Sequence, residues 1–234
     1  MPTYLIHKEL KFPPVSLADP NGLLAVGGDL SIERLLLAYR SGIFPWFNDG
    51  DPVLWWSPDP RCLLLPQNLK VSKSMRNILN RGELEVRYDQ AFSAVIRKCR
   101  NTKRKEDGTW ITLDIVQAYE ELHEAGYAHS VEVYKDDKLC GGLYGVSLGA
   151  AFFGESMFSE YPNASKAALI TLAKDAAMNG MDFIDCQLYT DHLASMGALN
   201  FERGLFITKL QQTLKKPTLR GNWSDESIWH RLRL

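Results

Sequence analysis

Between Gly149 and Gly197 an apolar run ends in Gly154-Glu155-Ser156-Met157-Phe158-Ser159, and a second short run carries Ile184-Asp185-Cys186-Gln187. The segment between them reads as a helix. Asn163 or Ser165 can cap it, and Ala167, Ala168, Leu169, Ile170, Leu172, Ala173, Ala176 and Ala177 supply its apolar content to about Asn179. Strand, helix and strand in that order require a crossover, so the two strands are expected to lie parallel in an α/β sheet. Strand alternation then puts Asp185 and Gln187 on one side, roughly 6.5 to 7 Å apart, with Ile184 and Cys186 on the other. Glu155 and Met157 share a face by the same rule. Glu155 and Asp185, read singly, are equally ordinary strand-end charges. Three polar side chains converging on one stiff crossover make this stretch the expected chemical centre.

Sheet and core need chain, and 234 residues suffice for one large domain with a small companion. No run approaches the ~18 apolar residues of a membrane span, and Met1-Pro2-Thr3-Tyr4 lacks the blocks of a signal peptide, so a cytoplasmic protein with no membrane partner is expected. Cys62, Cys99, Cys140 and Cys186 show no paired spacing, and the five histidines show no ligand pattern. Reduced thiols and no metal are expected. The net charge of -1 conceals an asymmetry: residues 61 to 105 hold twelve basic and three acidic groups, whereas 106 to 234 hold eleven basic and eighteen acidic. A polyanion could meet the first segment and a cation the second.

Along the chain, Ser31 is a plausible cap for a helix ending at Gly42. Phe44, Trp46, Phe47, Trp55 and Trp56, interrupted by prolines, make a rigid aromatic surface, either core filler or partly a stacking platform. A strand is expected from Arg61 to Leu65, a short basic helix capped by Ser72, a strand from Leu84 to Arg87, and a helix capped by Asp89. The last runs into six cations within residues 97 to 105. Such a run is a solvated loop or a phosphate contact, the second favoured by Lys70, Lys73, Arg76 and Arg81 nearby. Thr112 can cap a further helix, and Lys135-Asp136-Asp137-Lys138 can turn a hairpin whose Gly141, Gly142, Gly145 and Gly149 permit close backbone approach or bulges where a substrate lies. Leu205 to Leu214 reads as a helix or a helix-strand hybrid.

This order suits an N-acyltransferase of the acetyltransferase type, but Glu160-Tyr161-Pro162-Asn163-Ala164-Ser165 has neither the glycines nor the cation that hold a coenzyme A pyrophosphate. Seven blocks together carry a closer likeness: Pro20 to Leu30, Gly42 to Phe47, Trp55-Trp56-Ser57-Pro58, Gly108 to Thr112, Gly154 to Ser159, Asn163 to Lys166, and Ile184 to Gln187. On these the chain resembles the bacterial leucyl/phenylalanyl-tRNA-protein transferases. The resemblance implies an α+β or α/β architecture with a small aromatic-rich domain over 1–60 and an acetyltransferase-like (GNAT-type) mixed sheet with flanking helices over 61–234. It also implies transfer of Leu or Phe from Leu-tRNA or Phe-tRNA to proteins with N-terminal Arg or Lys, creating a degradation signal of the N-end rule pathway, without a cofactor. By resemblance, Asp185 and Gln187 orient and help deprotonate the acceptor amine, with Asp185 polarising Gln187 or acting as base. Glu155 binds the donor amine or shapes its pocket. Leu143, Phe152, Met157, Leu172 and Ile184 line the side-chain pocket, and Trp46 and Trp110 stack on the terminal adenosine. The basic segment, with Lys73, Arg76, Arg97, Arg100, Lys103, Arg104 and Lys105, carries the tRNA phosphates.

Three other readings use the same residues. A coenzyme A acyltransferase keeps the fold but lacks the pyrophosphate loop. A cysteine hydrolase would use Cys186 and His192, against which Cys186 is expected to face away from Asp185 and Gln187. A non-catalytic RNA-binding module explains the cations and aromatics and leaves Glu155, Asp185 and Gln187 without a role.

Overall fold

The computed structural model describes residues 4–102, 109–225 and 227 as a mixed α/β protein with two mixed sheets. The smaller sheet holds β1 (Tyr4–Ile6), β2 (Leu23–Gly27), β3 (Phe44–Pro45) and β4 (Leu54–Trp56) in the order β1-β2-β4-β3, and α1 (Ile32–Arg40) connects β2 to β3. The larger sheet has the order β11-β5-β10-β9-β8-β7-β6. Its strands are β5 (Arg61–Leu64), β6 (Glu85–Tyr88), β7 (Ala128–Lys135), β8 (Lys138–Leu148), β9 (Ala151–Ser159), β10 (Phe183–Gln187) and β11 (Leu199–Phe201). Only β9 and β10 run parallel in it, through the crossover helix α5 (Ala164–Met178), as the strand-helix-strand pattern requires.

Helices cover both faces. α1, α3 (Phe92–Asn101), α4 (Leu113–Glu124) and α7 (Arg203–Thr213) pack on the face carrying Tyr144, Phe153 and Phe183. α2 (Lys73–Asn80), α5 and the residues around α6 (Asp191–Ser195) cover the face carrying Leu143, Phe152 and Ile184. Leu143 with Tyr144 and Phe152 with Phe153 are strand neighbours that fill opposite cores, so both faces of the sheet are apolar.

Local signals fixed many ends. The Ser72 hydroxyl accepts the Met75 N–H at 3.2 Å, and Thr112 accepts that of Ile115 at the same distance, satisfying first-turn donors of α2 and α4. The hairpin turns at Asp136 and Asp137, both with positive φ, as a two-residue turn between twisted strands demands. The uncertain segment Leu205 to Leu214 forms most of helix α7, which ends at Thr213 with Leu214 as its cap.

Other expectations fail for physical reasons. Ser31 makes no side-chain cap to α1; its N–H and hydroxyl instead donate to Asp29 Oδ1 at 3.0 and 2.5 Å. Asp89 does not cap α3. Its buried carboxylate accepts the Ser130 N–H, the Trp223 N–H and His129 Nδ1, each at 2.8 Å, and Glu132 on β7 receives the Gln90 and Ala91 N–H groups at 3.1 Å ahead of α3. The hairpin glycines, by contrast, give the close approach and the bulge expected of them: a Cβ on Gly141 would fall 2.4 Å from that of Ala164, one on Gly145 only 2.1 Å from the Phe153 carbonyl oxygen, and the register shifts between Tyr144 and Gly145.

Alternation also breaks twice. Tyr144 pairs with Ser156 and Gly145 with Gly154, which leaves Glu155 as an extra residue on β9. Leu63 pairs with Asp185 and Cys62 with Gln187, leaving Cys186 extra on β10, with Gln187 at φ 61°. Two bulges thus sit side by side beyond the last parallel pair, Phe153 with Asp185.

Asp89 joins three segments through one buried carboxylate, so its loss strands three donors. We expect Asp89→Ala to cost about 3 kcal/mol or more of unfolding free energy in a urea titration, with Asp89→Asn costing less. A loss below about 1 kcal/mol in Asp89→Ala would show that these bonds are not what seats the segment around Trp223.

Candidate active site

Arg61 opens β5 and is wholly buried, as is Asp185 opposite it. The guanidinium Nε lies 2.9 and 3.1 Å from the two Asp185 oxygens and Nη2 lies 2.7 Å from Oδ2, while Nη1 donates to the Gly42 carbonyl at 3.2 Å. The rings of Phe44 and Phe206 lie 4.7 and 4.8 Å from the guanidinium carbon. Asp185 Oδ1 also accepts the Gln187 backbone N–H at 2.9 Å, tying the carboxylate across the bulge. The aspartate is therefore bonded by a cation on one side and by the main chain on the other.

Glu155 has different neighbours. Gln187 Nε2 donates to its Oε1 at 2.8 Å, and the Tyr119 hydroxyl to its Oε2 at 2.9 Å. Tyr119 from α4 in turn hydrogen-bonds Tyr39 from α1, and both phenols are fully buried. Withdrawal from water pushes the Glu155 carboxyl up from 4.5 to about 7; the two tyrosines and Arg61 oppose this, and the Asp185 charge adds to it.

Two cavities meet at Glu155. The larger, about 370 Å³, is lined by Leu143, Phe152, Met157, Leu169 and Ile184 with Tyr144, Thr190, His192 and Leu193. The smaller, about 210 Å³, is bounded by Phe44, Pro45, Trp46, Trp110, Gln187 and Leu188. Glu155, Cys186, Thr190 and Leu193 line both. The site thus has an apolar chamber, an aromatic chamber and a carboxyl between them.

Most residues singled out from the sequence meet here, with corrections. Asp185 touches Gln187 through the backbone N–H; the side-chain amide of Gln187 bonds Glu155 instead. Cys186 packs with Ile184 on the face opposite Asp185, as alternation requires, and from there it still lines both chambers. Glu155 and Met157 do not share a face: Glu155 bonds Tyr119 over one core, and Met157 packs on the other. Leu172 stays in the core beneath α5, while Leu169, one turn earlier, reaches the cavity. Of the cations, Lys73 and Arg76 are exposed on α2, Arg97 pairs with Glu120 at 3.0 Å, and Arg100 donates to the Ile111 carbonyl at 3.1 Å. Lys103, Arg104 and Lys105 lie outside the described residues. No group of three or more His, Cys, Asp or Glu side chains among the described residues could hold a metal, and no described helix is long and apolar enough to cross a membrane.

Sequence reading missed Arg61, Tyr39 and Tyr119 as site residues. An arginine heading the apolar Cys62-Leu63-Leu64 was the available signal for the first. The tyrosines looked like any apolar position of an amphipathic helix.

The family model described as leucyl/phenylalanyl-tRNA protein transferase matches residues 63–211, and that of the N-terminal domain of the same family matches 28–59. The chain belongs to the leucyl/phenylalanyl-tRNA-protein transferase family. Among its relatives, the leucyl/phenylalanyl-tRNA--protein transferase of Syntrophus aciditrophicus is 55% identical over 225 residues, covering 96% of this chain and 94% of the relative. That of Myxococcus xanthus is 54% identical over 229 residues, covering 96% and 97%. Of solved structures, L-PGS from Bacillus licheniformis aligns over 90% of this chain and 71% of its own at 13% identity and a TM-score of 0.39, which is too slight to bear on the fold.

With Glu155 near 7 against an ordinary 4.5, the folded chain keeps a proton between those values that the unfolded chain has released. The stabilisation this gives is complete below pH 4.5 and is lost as pH rises through 7, to a limit of about 3 kcal/mol. Stability should therefore fall over that window, and Glu155→Gln should flatten the fall. Tyr119→Phe removes a donor to the carboxylate, so carbon-13 NMR should show Glu155 titrating higher still; titration near 4.5 in the parent chain would refute this environment.

Proposed function

We propose that the chain transfers Leu or Phe from aminoacyl-tRNA to the α-amino group of polypeptides that begin with Arg or Lys. The observation that carries the proposal is the junction of the two chambers at Glu155 and Gln187, in a chain of this family. An apolar space of about 370 Å³ suits one branched aliphatic or aromatic side chain, and the unbranched, flexible Met157 lets it take either shape. Trp46 and Trp110 in the second chamber offer faces for a terminal adenosine, with Lys73, Arg76 and the cations of residues 97–105 for phosphates. Such a donor needs no cofactor. The same reading makes the larger sheet acetyltransferase-like, supported by the parallel step from β9 to β10 and the paired bulges beyond it. It divides the chain near residue 60 and assigns it to the cytoplasm.

An aminoacyl ester is already activated, so the enzyme supplies position and a destination for a proton. The incoming nucleophile is an amine that arrives as an ammonium and must lose a proton to attack the ester carbonyl. Asp185 is committed to Arg61 and the Gln187 N–H, which supports a role in holding the bulge rather than in taking that proton. Glu155, titrating near neutrality and lining both chambers, can reach the donor amine from one side and the acceptor amine from the other. Gln187 gives its amide N–H to Glu155, which turns its carbonyl to the chamber as an acceptor for the incoming N–H.

Labelled Leu-tRNA or Phe-tRNA mixed with the chain should label a peptide beginning with Arg and spare one beginning with Gly. Label on neither peptide, with tRNA bound, would replace the proposal by RNA binding alone. Cys186→Ala should keep transfer activity, because the ester needs no enzyme nucleophile; abolished activity with intact folding would favour a cysteine enzyme.

Neutralising Lys103, Arg104 and Lys105 should weaken tRNA binding and flatten its dependence on salt by about one slope unit per lost phosphate contact, leaving turnover at saturating tRNA unchanged. An unchanged slope in filter binding would remove these residues from the interface.

A further inference from the structure

The wall of the larger cavity has a support that lies outside the stretch matched by the family models. Phe152 lines that cavity, and its ring leans on Trp223, with centroids 5.7 Å apart at 40°. Trp223 is buried and does not itself line the cavity. On another side, the backbone of Gly145 comes so close that a Cβ there would fall 2.6 Å from Phe152 Cζ. The ring is thus bounded by Gly145 and by the indole, and it also lines the cavity.

Trp223 is held unusually firmly for a residue so near the end of the chain. Its N–H donates to Asp89 at 2.8 Å, its indole Nε1 to the Leu219 carbonyl at 2.9 Å, and its ring stacks on His129 at 3.9 Å and 6°. His129 is fixed by the same Asp89 carboxylate at 2.8 Å. The preceding residues are pinned too: Thr218 accepts the Gly149 N–H at 2.9 Å, and the Gly221 N–H donates to the Gly126 carbonyl at 3.0 Å. A side chain clamped in this way transmits position rather than merely filling space.

We propose that Trp223 is a positioning residue that sets the depth of the apolar cavity by fixing Phe152, and thereby sets the balance between Leu and Phe as the side chain accepted. The proposal rests on the reading of that cavity as the aminoacyl pocket. With the indole removed, Phe152 gains room to retreat and the cavity deepens. The larger aromatic side chain benefits most, and the branched aliphatic one loses contact.

The test measures Kd for non-hydrolysable 3′-amide analogues of leucyl- and phenylalanyl-adenosine by calorimetry, in the parent chain, Trp223→Phe and Trp223→Leu. The ratio of Phe to Leu affinity should rise about three- to tenfold in Trp223→Leu and less in Trp223→Phe, with affinity for uncharged tRNA unchanged. A ratio within about twofold of the parent in both variants, whatever the loss of thermal stability, would overturn the proposal, since a merely structural role moves stability and not preference. Should Trp223→Leu fail to fold, Trp223→Phe keeps a ring in place and carries the comparison. In Phe152→Leu, adding Trp223→Leu should shift the ratio no further, because the indole acts through that ring; full additivity would also overturn the proposal. Transfer by the parent chain is followed in parallel. Its absence, with the ratio still shifting, would count against the reaction proposed above and leave the role of Trp223 standing.

Discussion

The buried pair of Arg61 and Asp185 is the constraint around which the site is built. Removing two charges from water costs several kcal/mol per ion, and mutual attraction returns this only when the remaining donors and acceptors are also met. Here the guanidinium uses three nitrogens on Asp185 and Gly42 and lies between Phe44 and Phe206, while the carboxylate takes the Gln187 N–H as well. Net stability from such a pair is small. Its effect is geometric: it joins β5 and β10 of the larger sheet to the segment that leads into the smaller one, and it fixes the bulge that turns Gln187 toward Glu155.

Once Asp185 is committed in this way, the two carboxylates on neighbouring strands part in character. Asp185 meets a cation and the backbone and is wholly buried. Glu155, a few ångströms beyond the last parallel pair, meets phenols, an amide and two cavities, and its carboxyl is pushed up to about 7. Environments that differ this much are how one scaffold assigns a structural task to one acid and proton exchange to another.

Those parts of the fold that depend on neighbours in sequence were legible. Ser72 and Thr112 cap where their positions say they should, and the crossover from β9 through α5 to β10 follows from the order of apolar runs. Parts that depend on distant partners were not. Asp89 stands where a cap belongs, but its partners are at 129, 130 and 223. Arg61 and Asp185 are 124 residues apart, so neither residue's own surroundings announce the pair. The bulges at Glu155 and Cys186 arise from register against β8 and β5, which no alternation within a single strand encodes. The resemblance to a family named Leu143, Phe152, Met157 and Ile184, which line the cavity, yet it placed Leu172 there where Leu169 stands.

β9 is where the two ends of the chain act on one another. Tyr39 in α1 reaches Glu155 through Tyr119 over one face of that strand, and Trp223 reaches Phe152 over the other. Both faces of a strand can be loaded in this way because successive side chains alternate, and the bulge at Glu155 then lets a polar residue turn to the face that holds the phenols. A packed interior transmits small displacements. Helix α1 is thus linked to the carboxyl, and the segment around Trp223 to the apolar wall. The same strand holds the Glu155 carboxyl and the Phe152 wall of the cavity in fixed relation.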